Sequence, residues 1–317
     1  MKVLANDGIA PDGKAILEKG GAEVHTEKIA QDALAEGLKP YDAILVRSAT
    51  KVTKDIIQAN PQLKVIGRAG VGLDNIDLDA AKDAGVEVVN TPAASSISVA
   101  ELVFAHLSGM IRFLHLSNIQ MREQGNTAFK DLKKSYAKGV ELRGKTMGII
   151  GFGRIGRETA KIAIGYGMKV IAHDPMMKDK TAELPLDHLQ IPISIGVPVP
   201  LLSKEDLLAQ SDFISLHVPS LNTPIIDEHA FQHMKEGVGL VNCARGGVVD
   251  EAALEAHLAS GKVKYAALDV FENEPTPKAS LLENDKISLS PHIGASTSEA
   301  QTRIGIELAE KVMKALQ

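Results

Sequence analysis

Short β-branched runs alternate with amphipathic stretches along the whole chain. "KVLAND" (2–7), "AEVHTE" (22–27), "AILVRS" (43–48), "VIGRAG" (65–70) and "VEVVNTP" (86–92) read as strands, with helical spacing between them near 11–19, 29–37, 53–59 and 76–84. Such alternation predicts a parallel sheet covered by helices on both faces. A second series begins at "KTMGIIGFG", with strands at 145–150, 168–173, 212–217, 238–242, 264–269 and 286–289 and a closing helix at 297–316. Between the two series lies "SVAELVFAHLSGMIRFLHLSNIQMRE". Ser98 and Glu101 form a capping box there, and Val99, Val103, Leu107, Met110 and Leu114 recur at helical spacing. This predicts one long helix over 98–122, too apolar to lie open to water, that links two domains or packs on a second subunit. The Pro-rich stretch 185–200, "PLDHLQIPISIGVPVP", reads as irregular extended chain.

The length, 317 residues, suits two domains. A net charge of -5 with scattered basic residues offers no electrostatic footprint for nucleic acid or an anionic membrane. Aromatics are 3% with no Trp, so a stacking platform for single strands is not expected. No stretch approaches the roughly 18 apolar residues of a membrane span. The opening "MKVLANDGIAPDGK" reaches Asn6 and Asp7 after one short apolar run, unlike a signal peptide. Cys243 is the only cysteine, which suits a reducing cytoplasm and a packing role at a strand end. No metal is expected.

Gly151, Gly153 and Gly156 have G-x-G-x-x-G spacing after a strand and at the start of a helix, the setting of a dinucleotide phosphate loop. Arg154 and Ile155 fall at the helix N-terminus, where free N–H groups attract anions. Asp174, 18 residues after Gly156 at the end of the next strand, is placed to accept both ribose hydroxyls and to repel a 2′-phosphate, which favours NAD over NADP. Three further patches fall at strand ends. "VNCARGGVVDEAAL" carries Arg245, which can fork onto a carboxylate. "ALDVFENEP" carries Asp269 and Glu274, and "SPHIGAST" carries His292 on a Gly/Ser-rich loop. Oxidising an alcohol to a ketone needs a base for the hydroxyl proton, and a histidine beside a buried glutamate suits that task.

Taken in order, "VRSATKVT", "GRAGVGLDNIDL", "NTP…SVAELV", "GVELRGKTMGIIGFGRIGR", "NCARGGVVDE", "ALDVFENEP" and "SPHIGAST" resemble the D-isomer-specific 2-hydroxyacid dehydrogenases almost end to end. The resemblance implies an α/β protein with a flavodoxin-like substrate domain (1–96 and 293–317) and a Rossmann-type NAD-binding domain (97–292) inserted between its halves. It makes His292 the acid/base, Glu274 its partner and Arg245 the clamp on carboxylate and carbonyl. Asp269 resembles the residue that holds the nicotinamide amide, and Val218, Pro219, Cys243, Gly294 and Ala295 align with segments lining the cofactor.

The "RSAT" and "GRAGVGLDN" loops resemble those of members whose substrate carries both phosphate and carboxylate, which points to Arg47, Ser48, Val71 and Gly72. The resemblance, together with the long helix over 98–122, also implies a homodimer, and the lone cysteine a cytoplasmic location. Many such relatives continue into a C-terminal serine-binding domain, and this chain is expected to lack it. Glyoxylate or hydroxypyruvate reductases share the same chemistry and differ in the first-domain loops. A formate dehydrogenase fits less well, since formate has no hydroxyl proton and that branch does not pair its His with a Glu. A NAD-sensing corepressor of this fold, a binding protein rather than an enzyme, can keep the same residues.

Overall fold

The computed structural model describes residues 1–186 and 195–317. Its chain forms two compact units, Met1–Ser98 with Ala295–Gln317, and Val99–Gly294.

In the first unit β1 (Lys2–Ala5), β2 (Glu23–His25), β3 (Ala43–Val46), β4 (Val65–Arg68) and β5 (Glu87–Asn90) lie in the order β2-β1-β3-β4-β5, all parallel. This is the flavodoxin-like order. Leu4, Ile44, Ile66 and Val88 stand in register across the sheet and pack into one apolar layer. The alternate residues Val3, Ala5, Ala43, Leu45 and Val65 face the opposite layer, where Leu308, Ala309, Val312 and Met313 of the helix Ser298–Leu316 cover them. The closing helix therefore belongs to the first sheet, although the second unit separates them in sequence. It also crosses the helix Pro11–Lys19 at backbone contact, because a Cβ on Gly13 would run into the Gly305 carbonyl.

In the second unit β6 (Thr146–Ile150), β7 (Lys169–His173), β8 (Thr181–Pro185), β9 (Gly196–Pro200), β10 (Phe213–Leu216), β11 (Val238–Asn242), β12 (Val263–Leu268) and β13 (Ile287–Leu289) follow one another. The main sheet has the order β13-β12-β11-β10-β6-β7 and is parallel throughout. Leu201 adds an isolated parallel bridge to Ala172 of β7. From β6 the chain steps to β7 on one side and then crosses to β10 on the other. The order reverses between β6 and β10, and the crevice at their carboxyl ends is where such sheets bind ligands. The α/β fold expected from the alternation is observed.

Three expectations are corrected. Ser98 does not cap a helix, because the helix already begins at Ser96 and the Ser98 hydroxyl bonds Thr297 Oγ1 instead. The helix expected over 98–122 is two helices, Ser96–Ile111 and Leu114–Gln124, bent by 58°. Phe113 at the break has φ 57°, and the Ile111 carbonyl accepts from the Val140 N–H instead of continuing the helix. The Phe113 ring packs on Tyr136 and Tyr265, so tertiary contact overrides a periodicity that runs on to Leu114, itself 63% exposed. The stretch expected to be irregular contributes β9, which pairs antiparallel with β8 and buries Ala182, Leu184 and Val199. Residues 187–194 of that stretch lie outside the described residues. No single helix among the described residues is long and apolar enough to cross a membrane.

Alanine in place of glycine in an open helix stabilises by about 1 kcal/mol. At Gly13 the sign is expected to reverse, with Gly13→Ala lowering unfolding free energy by about 1–3 kcal/mol in denaturant titration. A stabilised Gly13→Ala protein would show that the two helices do not touch there.

Candidate active site

The glycine loop leaves β6 at the point where the strand order reverses. Gly151 has φ 89°, a left-handed conformation that favours glycine, and a Cβ there would lie 2.5 Å from the His217 carbonyl oxygen at the end of β10. The helix Arg154–Gly165 begins directly afterwards, and a Cβ on Gly156 would meet the Gly151 carbonyl, so helix and strand touch at backbone distance. No side chain caps this helix, and a Cβ on Gly153 would meet open space. Its N-terminal N–H groups are thus presented on a bare backbone, as a pyrophosphate requires. The Asp174 carboxylate is aimed at the same loop: Oδ2 accepts from the Phe152 N–H at 2.9 Å and Oδ1 from the Met176 N–H at 2.9 Å. These residues fit a dinucleotide.

Arg154 is exposed and Ile155 half-buried on the first turn of that helix. Val218 is half-buried and Pro219 exposed, just past β10. Cys243 is buried at the end of β11, and burial, with the Asp269 charge adding to it, pushes its thiol well above the ordinary value. It is a neutral packing group rather than a nucleophile.

Asn242, Leu268 and Leu289 end three adjacent parallel strands in register, so the loops that follow leave the sheet side by side. The Asn242 side chain shapes the first loop, accepting from the Ala244 N–H at 3.0 Å and donating to the Arg245 carbonyl at 2.9 Å. Arg245 is half-buried, and its Nη1 donates to the Ala244 carbonyl. In the second loop Glu274 Oε1 accepts from the Phe271 N–H at 3.0 Å, while Oε2 meets His292 Nδ1 at 2.8 Å. A carboxylate only accepts, so Nδ1 carries the proton of the neutral imidazole and Nε2 is left as the basic nitrogen. The expected burial of the glutamate is not observed: the Glu274 and His292 side chains are 35% and 42% exposed, because both sit on loops beyond the strand ends.

His292 has φ 56°, a conformation that costs a non-glycine residue of order 1–3 kcal/mol unless its surroundings enforce it. Asp269, 1% exposed, does so. Its Oδ1 accepts from Ser290 Oγ at 2.5 Å and from the Ile293 N–H at 2.8 Å, and its Oδ2 accepts from the Gly294 N–H at 2.8 Å. The carboxylate grips the loop on both sides of His292. Of its roughly four acceptor positions, one on Oδ2 remains.

Glu251 supports the site without a signal in the local sequence. It is 4% exposed at the start of the helix Glu251–Ser260, and its Oε1 accepts from the Glu272 N–H at 2.8 Å, which ties the Glu274 loop to that helix. Burial is the main cause that raises its carboxyl, with the nearby Glu272 charge acting in the same direction. The adjacent Asp250 is an ordinary N-cap, and nothing local marks Glu251 as different.

In the first unit the expected substrate residues lie on loops held by half-buried polar side chains. Asp7 accepts from the Arg47 N–H at 2.7 Å and from the Thr50 N–H and hydroxyl. Asn75 donates to the Arg47 and Thr50 carbonyls, and Asn90 donates to the Val71 carbonyl at 2.7 Å. The Arg47 loop leaves the carboxyl end of β3 beside that of β1, where this sheet's order also reverses. Ser48 is exposed, Val71 and Gly72 are half-buried, and Arg47 Nε is buried without a hydrogen-bond partner. Ala295 opens the segment that returns to this unit.

Residues 104–294 match the D-isomer specific 2-hydroxyacid dehydrogenase NAD binding domain. The chain is 43% identical to a hydroxypyruvate reductase of Thermotoga maritima, over 99% of this chain and 98% of that protein. It is 41% identical to a D-3-phosphoglycerate dehydrogenase of Methanocaldococcus jannaschii, over its full length but only 58% of that protein. A solved glyoxylate reductase from Paecilomyes thermophila superposes with a TM-score of 0.85 at 29% identity, covering all of this chain and 95% of the other. The chain belongs to the D-isomer specific 2-hydroxyacid dehydrogenase family, and its cofactor is NAD.

Asp174→Ala is expected to weaken NADH binding and to narrow the preference for NADH over NADPH, measured by titrating cofactor fluorescence. Unchanged affinity for both cofactors would remove Asp174 from the ribose site.

Proposed function

We propose that this protein oxidises D-3-phosphoglycerate to 3-phosphohydroxypyruvate, the reaction class that opens serine formation from a phosphorylated three-carbon acid. The observation that carries the chemistry is the 2.8 Å pair between His292 Nδ1 and Glu274, which leaves Nε2 as the base. His292 takes the hydroxyl proton, and Glu274 stabilises the imidazolium that results. NAD⁺, when bound, supplies the hydride acceptor. Gly151, Gly153, Arg154, Ile155 and Gly156 cradle its pyrophosphate, Asp174 holds a ribose, and Asp269 offers its remaining acceptor position to the carboxamide. Val218, Pro219, Cys243, Gly294 and Ala295 line the cofactor. Arg245 forks onto the substrate carboxylate.

The phosphate is assigned to the first unit's Arg47 loop, with Ser48, Val71 and Gly72 beside it. The support is an arginine whose Nε lacks a partner at a strand-order reversal, together with identity to phosphoglycerate dehydrogenases. Hydroxypyruvate reduction is the second reading, favoured by a relative that this chain matches over nearly its whole length. A corepressor-type binding protein would show no steady-state turnover. The same reading includes a cytoplasmic location, consistent with the lone cysteine, and a homodimer. The dimer is supported by Leu114, Ile119, Met121 and Phe129, large apolar side chains exposed on neighbouring helices.

A panel of 3-phosphohydroxypyruvate, hydroxypyruvate, glyoxylate and pyruvate with NADH tests the assignment. The phosphorylated acid is expected to give the highest kcat/KM, and Arg47→Ala to lower it about 10- to 100-fold while sparing the unphosphorylated acids. Highest kcat/KM for hydroxypyruvate, with equal losses in Arg47→Ala, would establish the second reading instead. His292→Asn is expected to cost about 10²–10⁴-fold in kcat with NADH affinity kept. Turnover within a few-fold of wild type would exclude His292 as the acid/base. Light scattering is expected to give twice the chain mass, and a monomer would refute the dimer.

A further inference from the structure

The helix Ser96–Ile111 buries one histidine among the apolar side chains Val103, Leu107 and Met110. His106 is 6% exposed, and both its nitrogens are engaged: Nδ1 lies 2.8 Å from Ser288 Oγ on β13, and Nε2 lies 2.8 Å from Ser290 Oγ just beyond that strand. Ser290 in turn donates to Asp269 Oδ1. Two serines on alternate positions of one strand edge thus bracket the ring, and one of them touches the carboxylate that grips the His292 loop.

The directions of these hydrogen bonds follow from one end of the chain. Asp269 already accepts backbone N–H groups on both oxygens. The single Ser290 proton goes to Asp269, so toward His106 the hydroxyl can only accept. Nε2 must therefore carry a hydrogen. Burial lowers the imidazole's pKa against the attraction of Asp269, and the neighbouring His115 acts with burial, so the ring is neutral and Nδ1 is an acceptor. Ser288 then donates. The four groups form one oriented chain, Ser288 to His106 to Ser290 to Asp269, with no member free to reverse.

We propose that His106 is a positioning residue: as a neutral Nε2–H imidazole it fixes Ser290 and Asp269, and through them the left-handed backbone of His292. The helix supplies rigidity to a loop that otherwise hangs from a three-residue strand, Ile287–Leu289. The functional consequence rests on His292 as the acid/base, whereas the orientation of the chain does not.

The orientation is read from the full-length protein labelled with ¹⁵N-histidine, in long-range ¹H–¹⁵N correlation spectra assigned with a His106 variant. The expected signature is a protonated Nε2 and an unprotonated Nδ1, and the opposite tautomer would overturn the proposal without bearing on the role of His292. The consequence is read from two replacements of similar size. Glutamine reaches the ε position and can still donate to Ser290, whereas asparagine reaches only the δ position. His106→Gln is expected to keep kcat within about threefold, and His106→Asn to lose about tenfold in kcat with little change in KM, the scale of one lost buried hydrogen bond. Ser290→Ala should give a loss similar to His106→Asn, and the double variant should lose no more than either alone. Equal kcat for the Gln and Asn variants, or losses that merely follow their melting temperatures, would reduce His106 to a packing residue.

Discussion

Asp269 is buried at the end of β12, yet it accepts from Ser290, Ile293 and Gly294, all on the loop that follows the neighbouring strand. A carboxylate buried in this way is tolerable only because three donors replace its water. The same donors leave the loop no freedom. His292 can occupy a left-handed conformation because the residues on either side of it are held by one rigid group, and its pairing with Glu274 then fixes the ring. The backbone position of the candidate base descends from that buried charge, and its tautomer and ring orientation from Glu274.

The clamp works because the strands beneath it are parallel and in register. Parallel neighbours end on the same side, so the loops after β11, β12 and β13 emerge together and need only short hydrogen bonds to organise one another. The same geometry explains the cofactor loop. Where the order of strands reverses, adjacent crossovers diverge to opposite faces, and the gap they leave admits a ligand to bare backbone at Gly151 and Gly153. The first unit repeats the arrangement in its own sheet, with Asp7 and Asn75 holding the Arg47 loop at the corresponding reversal.

Much of this was legible in local patterns. Strands of a parallel sheet are buried on both faces and read as apolar runs, so their places were visible without knowledge of their partners. The glycine spacing, Asp174 and the strand-end positions of Arg245, Glu274 and His292 were visible for the same reason. The supporting residues were not. His106 looks like one more member of a core helix until its partners, 182 and 184 residues away, are placed beside it. Glu251 looks like an acidic residue in a helix's first turn, and Asp7 and Asn75 look like loop residues.

What the sequence alone determined is the class of each segment and the chemistry available at each strand end, because periodicity, turn residues and motif spacing act over a few residues. What only the tertiary structure decided is where helices stop and which polar groups meet. The break at Phe113 depends on Tyr136, Val140 and Tyr265 filling space around it, against a periodicity that favours one continuous helix. The pairing of β8 with β9 depends on a surface into which Ala182, Leu184 and Val199 can be buried. The exposure of Glu274 depends on how far its loop stands beyond the sheet. In the first two cases the deciding contact joins residues from separate segments, and their burial outweighs the propensity of the segment itself.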